Sequence, residues 1–300
     1  MSTPNISVCI CTFKRPILLL RLLGELENQQ TDDLFTFSIV IIDNDRLETA
    51  RPVVMSFRRT TLLNVRHEVE PEQNISLARN KAVLNADGEF LAFIDDDEYP
   101  AGDWLLNLFK AMLAYQGDGV LGPVIPHFQD VPPKWVLKGR MFERSRFPSG
   151  TVLKALDTRT GNVIFTSNLF RGVGAPFDPR MGRTGGEDVD FYRRMIKKGH
   201  TFVWCNDANV YETIKRDRYT RAYHLKRALL RGVSQARLSR PGETGVIRSL
   251  AACMVYTMAL PFLFLIGHHL FMQYLIKDCD HLGKLLALCG IDILTQRGFS

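Results

Sequence analysis

Apolar runs that end in polar or charged clusters recur along the first half of the chain. "ISVCICT" (6–12) is rich in β-branched residues and is stopped by Lys14, Arg15 and Pro16, which predicts a buried strand. "PILLLRLLGELENQ" (16–29) follows with helical spacing and Pro in its first turn. "FSIVIIDND" (37–45) is a second strand pattern ending in carboxylates, and "NVRHEV" (64–69) predicts a short third strand. "NISLARNKAVLNADG" (74–88) reads as a helix stopped by Gly88, "EFLAFIDDD" (89–97) as a strand, and "WLLNLFKAMLAY" (104–115) as a helix. Strand alternating with helix at this spacing predicts an α/β fold, a mainly parallel sheet flanked by helices.

Beyond Pro123 the pattern weakens. "PHFQDVPPKW" (126–135) is loop-like and "GNVIFTSNLFRG" (161–172) returns to strand. "GRTGGEDVDFYRRMIKKG" (182–199) predicts a Gly-rich loop feeding an amphipathic helix, with Val189, Tyr192 and Ile196 on one face and Gly199 as the stop. From Lys215 to Arg248 the chain turns basic: Arg216, Arg218, Arg221, Lys226, Arg227, Arg231, Arg237 and Arg240 stand against only Asp217 and Glu243. Residues 249–267 then carry no charge, and the apolar character continues past His268-His269 to Ile276.

An uncharged run of roughly 20 residues is long enough to cross a bilayer, and basic residues in front of it place that flank in the cytoplasm. Pro261 leaves a kinked span or a re-entrant hairpin open. In the hairpin case "GKLLALCGIDIL" (283–294) becomes a candidate interfacial helix. A buried core helix is the bland alternative. Nucleic-acid binding, the other use of a basic stretch, is disfavoured by the adjoining uncharged run.

The whole chain has 300 residues, 46% hydrophobic and 23% charged, with a net charge of +6, enough for one large domain or two small ones. Its six cysteines (Cys9, Cys11, Cys205, Cys253, Cys279, Cys289) show no zinc spacing and read as buried free thiols, Cys9 and Cys11 sharing one strand face. No basic, then apolar, leader opens the chain, so the N-terminal part is expected to stay in the cytoplasm.

The candidate chemistry collects at predicted strand ends, where open α/β sheets bind ligands. Asp95-Asp96-Asp97 are three adjacent carboxylates delivered by a buried strand. Such anions repel one another unless a cation sits among them, and oxygen ligands suit Mg2+ or Mn2+ held jointly with substrate phosphates. An exposed acidic turn is the alternative. Glu187-Asp188 opens a helix after "GRTGG"; it is either a simple complement to the helix dipole or a general base on a mobile loop. Arg79 is either a surface arginine or a planar fork for phosphate. No GxGxxG, GxxxxGK[ST] or GxSxG motif is present, which removes dinucleotide oxidoreductases, P-loop NTPases and serine hydrolases of that type.

"VCICTFKRP", "IVIIDND", "NISLARNKA", "FLAFIDDDEYP" and "GGEDVDFYRRM", in this order, resemble family 2 glycosyltransferases of the GT-A fold over roughly residues 5–215, and within them the bacterial exopolysaccharide (succinoglycan-type) enzymes. The resemblance implies that Thr12, Lys14 and Arg15 line a nucleotide-sugar pocket together with Asp96. Asp43-Asn44 would hold the base, in place of the family's Asp-Asp, and Arg79 would face the diphosphate. Asp95 and Asp97 match the D-x-D metal signature, with Asp97 the direct ligand. Asp188, with Glu187 beside it, stands at the catalytic base. Many relatives carry a His near the end of the domain that reaches the metal or diphosphate; "NVYET" offers Glu212 there.

The Q-x-x-R-W motif of processive polymerases is absent, which implies one sugar per acceptor. The implied reaction is inverting and metal-dependent, from a nucleotide sugar (a UDP-sugar) to a polyprenyl-linked glycan at the inner membrane, with the catalytic domain facing the cytoplasm. The expected division is 1–215 catalytic, 216–248 a basic juxtamembrane segment and 249–300 membrane-associated. Two other readings are a sugar-phosphate nucleotidyltransferase and a degenerate domain acting as a membrane partner. The first lacks its Gly-rich loop, since "CTFKRP" has no glycine; against the second, the costly carboxylates are intact.

Overall fold

The computed structural model describes residues 3–183, 185–238 and 245–291. The chain divides into two compact units: residues 1–125, 144–183 and 187–212 form the first, and residues 126–143, 184–186 and 213–300 the second. The second unit thus takes in residues 126–143, which the sequence division placed with the catalytic part.

The described strands are β1 (Asn5–Thr12), β2 (Thr36–Asp43), β3 (Asn64–Val69), β4 (Phe90–Ile94), β5 (Glu98–Pro100), β6 (Gly119–Leu121), β7 (Val124–Phe128), β8 (Asn162–Thr166), β9 (Phe202–Trp204) and β10 (Val210–Ile214). The described α-helices are α1 (Pro16–Glu27), α2 (Arg51–Arg58), α3 (Ile75–Asn85), α4 (Trp104–Tyr115), α5 (Lys134–Lys138), α6 (Glu187–Lys197), α7 (Arg221–Leu238), α8 (Gly245–Ile266) and α9 (His268–Leu288).

In the first unit a seven-stranded sheet runs β3-β2-β1-β4-β8-β6-β9. The β3, β2, β1 and β4 pairs are parallel, with Thr12 level with Asp43 at the carboxyl end. Strand β8 runs antiparallel to both β4 and β6, which makes the sheet mixed. Both faces are covered, as the near-continuous apolar strands require. On one face α1 buries Leu19, Leu22, Leu23 and Leu26 beside Trp104, Leu105, Leu108 and Phe109 of α4. At about 1.5–3 kcal/mol per fully buried side chain, the four α1 leucines alone contribute on the order of 6–12 kcal/mol of gross transfer energy.

On the other face Ala78 and Ala82 of α3 and Phe191, Tyr192 and Met195 of α6 pack on Phe93 and Phe165. The core face of α6 is therefore Phe191-Tyr192-Met195; Val189 lies outside it and Ile196 packs at its margin. The fourth strand ends at Ile94 rather than in the carboxylates, because Glu98 N–H donates to the Asp95 carbonyl (3.1 Å) and turns the chain. After that turn β5 pairs antiparallel with residues 210–212, setting Glu98 opposite Glu212. Helix α3 ends at Asn85, three residues before Gly88, and is started by Asn74, whose side chain accepts from Ser76 N–H and Leu77 N–H. Gly88 serves close approach instead: a Cβ there would lie 2.7 Å from the Ser7 nitrogen.

In the second unit Val136, Ile214 and Tyr219 form a small core with Phe128, Trp135 and Phe142. The stretch read as loop, 126–135, thus holds the end of β7 and leads into α5. Helices α7, α8 and α9 pack side by side with α9 in the middle. Arg240 and Glu243 of the basic stretch, and residues 292–300 including the end of the candidate interfacial helix, lie outside the described residues. Cys9 and Cys205 are buried as expected, but Cys11, Cys253 and Cys279 are half-buried and Cys289 is exposed, the last three on or just after the peripheral helices α8 and α9.

Candidate active site

The carboxyl ends of β1 and β4 meet through side chains. Thr12 Oγ1 donates to one oxygen of Asp96 (2.8 Å) and Arg15 donates to the other (2.8 Å). Arg15 also lies 3.3 Å from Asp97. Burial pushes the Asp96 carboxyl up to about 6 against the opposing pull of Arg15. Lys14 is exposed at a left-handed turn (φ 54°), its ammonium 5.0 Å over the Phe13 ring.

Arg79 ties two predicted clusters into one site. Helix α3 presents it, 7% exposed, with one guanidinium nitrogen 2.8 Å from Glu187 and another 3.7 Å from Asp95. Burial opposes the guanidinium charge, but Glu187 and Asp95 outweigh it and raise its pKa. Glu187, a candidate catalytic residue by sequence, is buried and ion-paired with Arg79, and among the described residues its second oxygen has no hydrogen-bond partner. Burial raises the Glu187 pKa, with Arg79 pulling it down and Asp188 pushing it up. Asp188 is half-buried and takes the Val189 N–H (2.8 Å). The loop before it docks on α3, where Asn74 donates to the Pro179 carbonyl (2.8 Å) and Asn80 exchanges hydrogen bonds with Phe177.

Four carboxylates crowd the turn after β4. Nearly half of the Asp95 side chain (46%) is open to solvent, yet the packed protein around its carboxyl and the nearby Asp97 and Glu212 raise its pKa against Arg79. Glu98 is buried, and burial together with Asp95 drives its pKa well up. Glu212, the metal candidate in place of a His, is ion-paired with Arg144. Glu98 and Arg144 had no role assigned from sequence. The run "DDDE" was the available signal for the first; nothing in "RMFERSR" marked the second.

Asn44 is committed to the backbone. Its amide donates to the carbonyls of Glu70 (2.9 Å) and Glu72 (2.6 Å), and its oxygen accepts from Asn74 N–H (2.9 Å). Both amide donors of Asn44 are thus used on the backbone, and its oxygen keeps one lone pair with which it could meet the base edge expected of it. Asp43 is fully buried and accepts from Asp45 N–H (3.2 Å) and Ala50 N–H (2.8 Å). Together the two residues shape the loop after β2.

Among the described residues no group of three His, Cys, Asp or Glu side chains forms a ready-made metal cage. Mg2+ and Mn2+ do not need one; they take one or two carboxylates and complete their shell with phosphate oxygens and water. The oxygen-only set of Asp95 and Asp97, in a turn where anions outnumber the facing arginines, fits such a cation.

A mainly parallel sheet whose strand ends gather a carboxylate turn, a buried arginine and a helix-borne carboxylate pair has the make-up of a nucleotide-sugar transferase. Residues 7–172 match Glycosyl transferase family 2. The chain is 32% identical over 239 residues to the succinoglycan biosynthesis protein ExoM of Rhizobium meliloti (strain 1021), covering 79% of this chain and 75% of that protein. It is 29% identical over 100 residues to the GalNAc(5)-diNAcBac-PP-undecaprenol beta-1,3-glucosyltransferase of Campylobacter jejuni, covering 32% of this chain and 30% of that one. S. aureus TarS 1-349, solved in complex with UDP, superposes with a TM-score of 0.55 at 17% identity, over 97% of this chain and 95% of that chain. The chain belongs to glycosyl transferase family 2: it is a glycosyltransferase with the GT-A fold, and its relatives act in exopolysaccharide and lipid-linked glycan biosynthesis.

Proposed function

We propose that the protein transfers one sugar, with inversion and metal dependence, from a UDP-sugar to a polyprenyl-linked glycan at the cytoplasmic face of the inner membrane. The observation that carries this reading is the Arg79 bridge, which brings the Asp95 turn and the Glu187-Asp188 pair to one point. UDP as the donor nucleotide draws support from the UDP bound by TarS, and the lipid-linked acceptor from the name of the Campylobacter relative.

Asp95 and Asp97 would hold the Mg2+ or Mn2+, which when bound supplies positive charge to the departing diphosphate. Arg15 and Thr12 fix Asp96 and with it the shape of the metal turn. Lys14, exposed at the rim, and Arg79 offer cationic contacts to the donor. Asp188 takes the proton of the acceptor hydroxyl; the oxygen attacks the anomeric carbon, and the bond to the diphosphate breaks on the opposite face. Glu187 positions rather than transfers protons, because Arg79 holds it. No second carboxylate is required by a single displacement. The missing Q-x-x-R-W motif supports release after one addition.

The basic stretch from Lys215 and the apolar α8 support attachment to an anionic membrane, at about 1 kcal/mol per basic residue near the surface. The test is transfer from a panel of UDP-, GDP- and dTDP-sugars to polyprenyl-diphosphate-linked acceptors with Mn2+, products being read by mass spectrometry and anomeric NMR. A mass gain of one sugar with inverted configuration, lost in Asp188→Asn, is expected. Retention of configuration, or full activity in that variant, overturns the assignment.

A further inference from the structure

Helix α8 is long and apolar enough to cross a membrane, and only 6% of its apolar window is buried, so it is not a core helix. Its neighbours oppose a crossing. Helix α9 returns antiparallel along it: Ser249 meets His281 (3.2 Å), Thr257 meets Asp278 (3.1 Å), Tyr256 packs on Tyr274, and Phe264 on Phe271. Thr257 lies near the middle of Gly245–Ile266, so a spanning α8 would carry Asp278, with Lys277 and Asp280 beside it, to the bilayer centre. Ionisable groups at that depth are strongly disfavoured.

Helix α9 is also tied to the basic helix α7. Arg231 of α7 is ion-paired with Asp280 (Nε to Oδ1, 2.7 Å), and the helices touch at two glycines. A Cβ on Gly232 would sit 2.0 Å from the Asp280 carbonyl, and one on Gly283 2.2 Å from the Leu229 carbonyl. Basic α7, charged α9 and apolar α8 therefore form one helical layer. Its outer α8 face exposes Met254, Met258 (75%), Phe262 and Leu265 (83%).

Resting on the membrane-attached transferase reading above, we infer that α8 lies in the plane of an anionic lipid interface, its outer face among the acyl chains, and does not cross the bilayer. An apolar face beside a basic stretch is the composition that binds such an interface. Arg221, Lys226 and Arg227 of α7 and Arg248 at the start of α8 are all exposed to supply the charge complement.

The test uses full-length protein in inner-membrane vesicles, in a Cys289→Ser background that removes the exposed native thiol. Leu62→Cys, fully exposed in the first unit, reports the side on which the catalytic part lies. Lys277→Cys, exposed on α9, reports the helical layer. In-plane docking predicts that a membrane-impermeant maleimide labels both from the same face, in inside-out but not right-side-out vesicles. It also predicts that Met258→Glu with Leu265→Glu releases the protein into the soluble fraction. Labelling of Lys277→Cys from the opposite face (a span), or only after detergent (a re-entrant hairpin), overturns the inference and leaves the membrane reading intact, as does retention of the double variant on the membrane. A wild-type protein found wholly soluble, for example as a dimer covering α8, overturns both.

Discussion

Replacing Arg79 by Met would expose the electrostatic design of the site. The guanidinium is buried 2.8 Å from Glu187, itself buried. At an effective dielectric of about 20, Coulomb's law gives about 6 kcal/mol at that distance, part of which offsets desolvation. Removing one partner of a buried pair costs about 3–5 kcal/mol, on the order of 6–20 °C in Tm for a unit of this size. Methionine keeps most of the volume, so the loss reports charge rather than a cavity. Glu187 already has a raised pKa from burial, and losing Arg79, its main opposing pull, raises it further. A folded-state pKa above the unfolded one means that the penalty is felt at neutral pH and vanishes as pH falls and the carboxyl protonates. The Tm deficit of Arg79→Met should therefore be largest at pH 7.5 and shrink towards pH 5. Adding Glu187→Gln should recover about 2 kcal/mol relative to the sum of the single changes. Thermal unfolding of metal-free protein at both pH values reads all of this. A deficit under about 2 °C, one that does not depend on pH, or strict additivity would refute the buried-pair account.

Three further outcomes are expected. Asn44→Ala removes three hydrogen bonds that hold residues 70–74 and should cost about 2–3 kcal/mol in urea unfolding while weakening nucleotide binding; unchanged stability would leave Asn44 only a base-reading role. Gly182→Ala places a Cβ 1.7 Å from the Asn74 amide oxygen, so the loop before Asp188 must lift from the α3 cap; kcat should fall while UDP affinity holds, as measured by steady-state kinetics and titration. His224 is buried, and burial with nearby Arg227 lowers its pKa to about 4; the stability it contributes is present above about pH 6.5 and lost as pH falls towards 4, visible as faster hydrogen exchange in α7 that His224→Phe suppresses.

The parallel half of the sheet was legible because β1, β2 and β4 are buried on both faces and their apolar runs are continuous, and α4 matched its predicted bounds. The three-residue strands β5, β6 and β9 were not read, since so short a run carries no period. The aromatic core residues Phe191 and Tyr192 of α6 are adjacent and Met195 follows them, so of the predicted stripe Tyr192 is in the core and Ile196 packs against it, whereas Val189 lies outside. At the site, the carboxylate turn and the Glu187-Asp188 pair could be seen as motifs. That Arg79 joins them could not, because the contact spans 108 positions of sequence. The backbone duties of Asn44 and the Arg144–Glu212 pair are long-range for the same reason.

The central claim is that the Asp95–Asp97 turn holds a divalent cation together with a nucleotide diphosphate. Isothermal titration of UDP into the full-length protein, with and without Mn2+, beside Asp97→Ala, tests it most directly. The account predicts UDP binding that requires Mn2+ in the wild type and is lost in the variant, with the variant's Tm unchanged. Equal UDP affinity with and without metal, or in the variant, would contradict it and reduce the carboxylates to a surface turn.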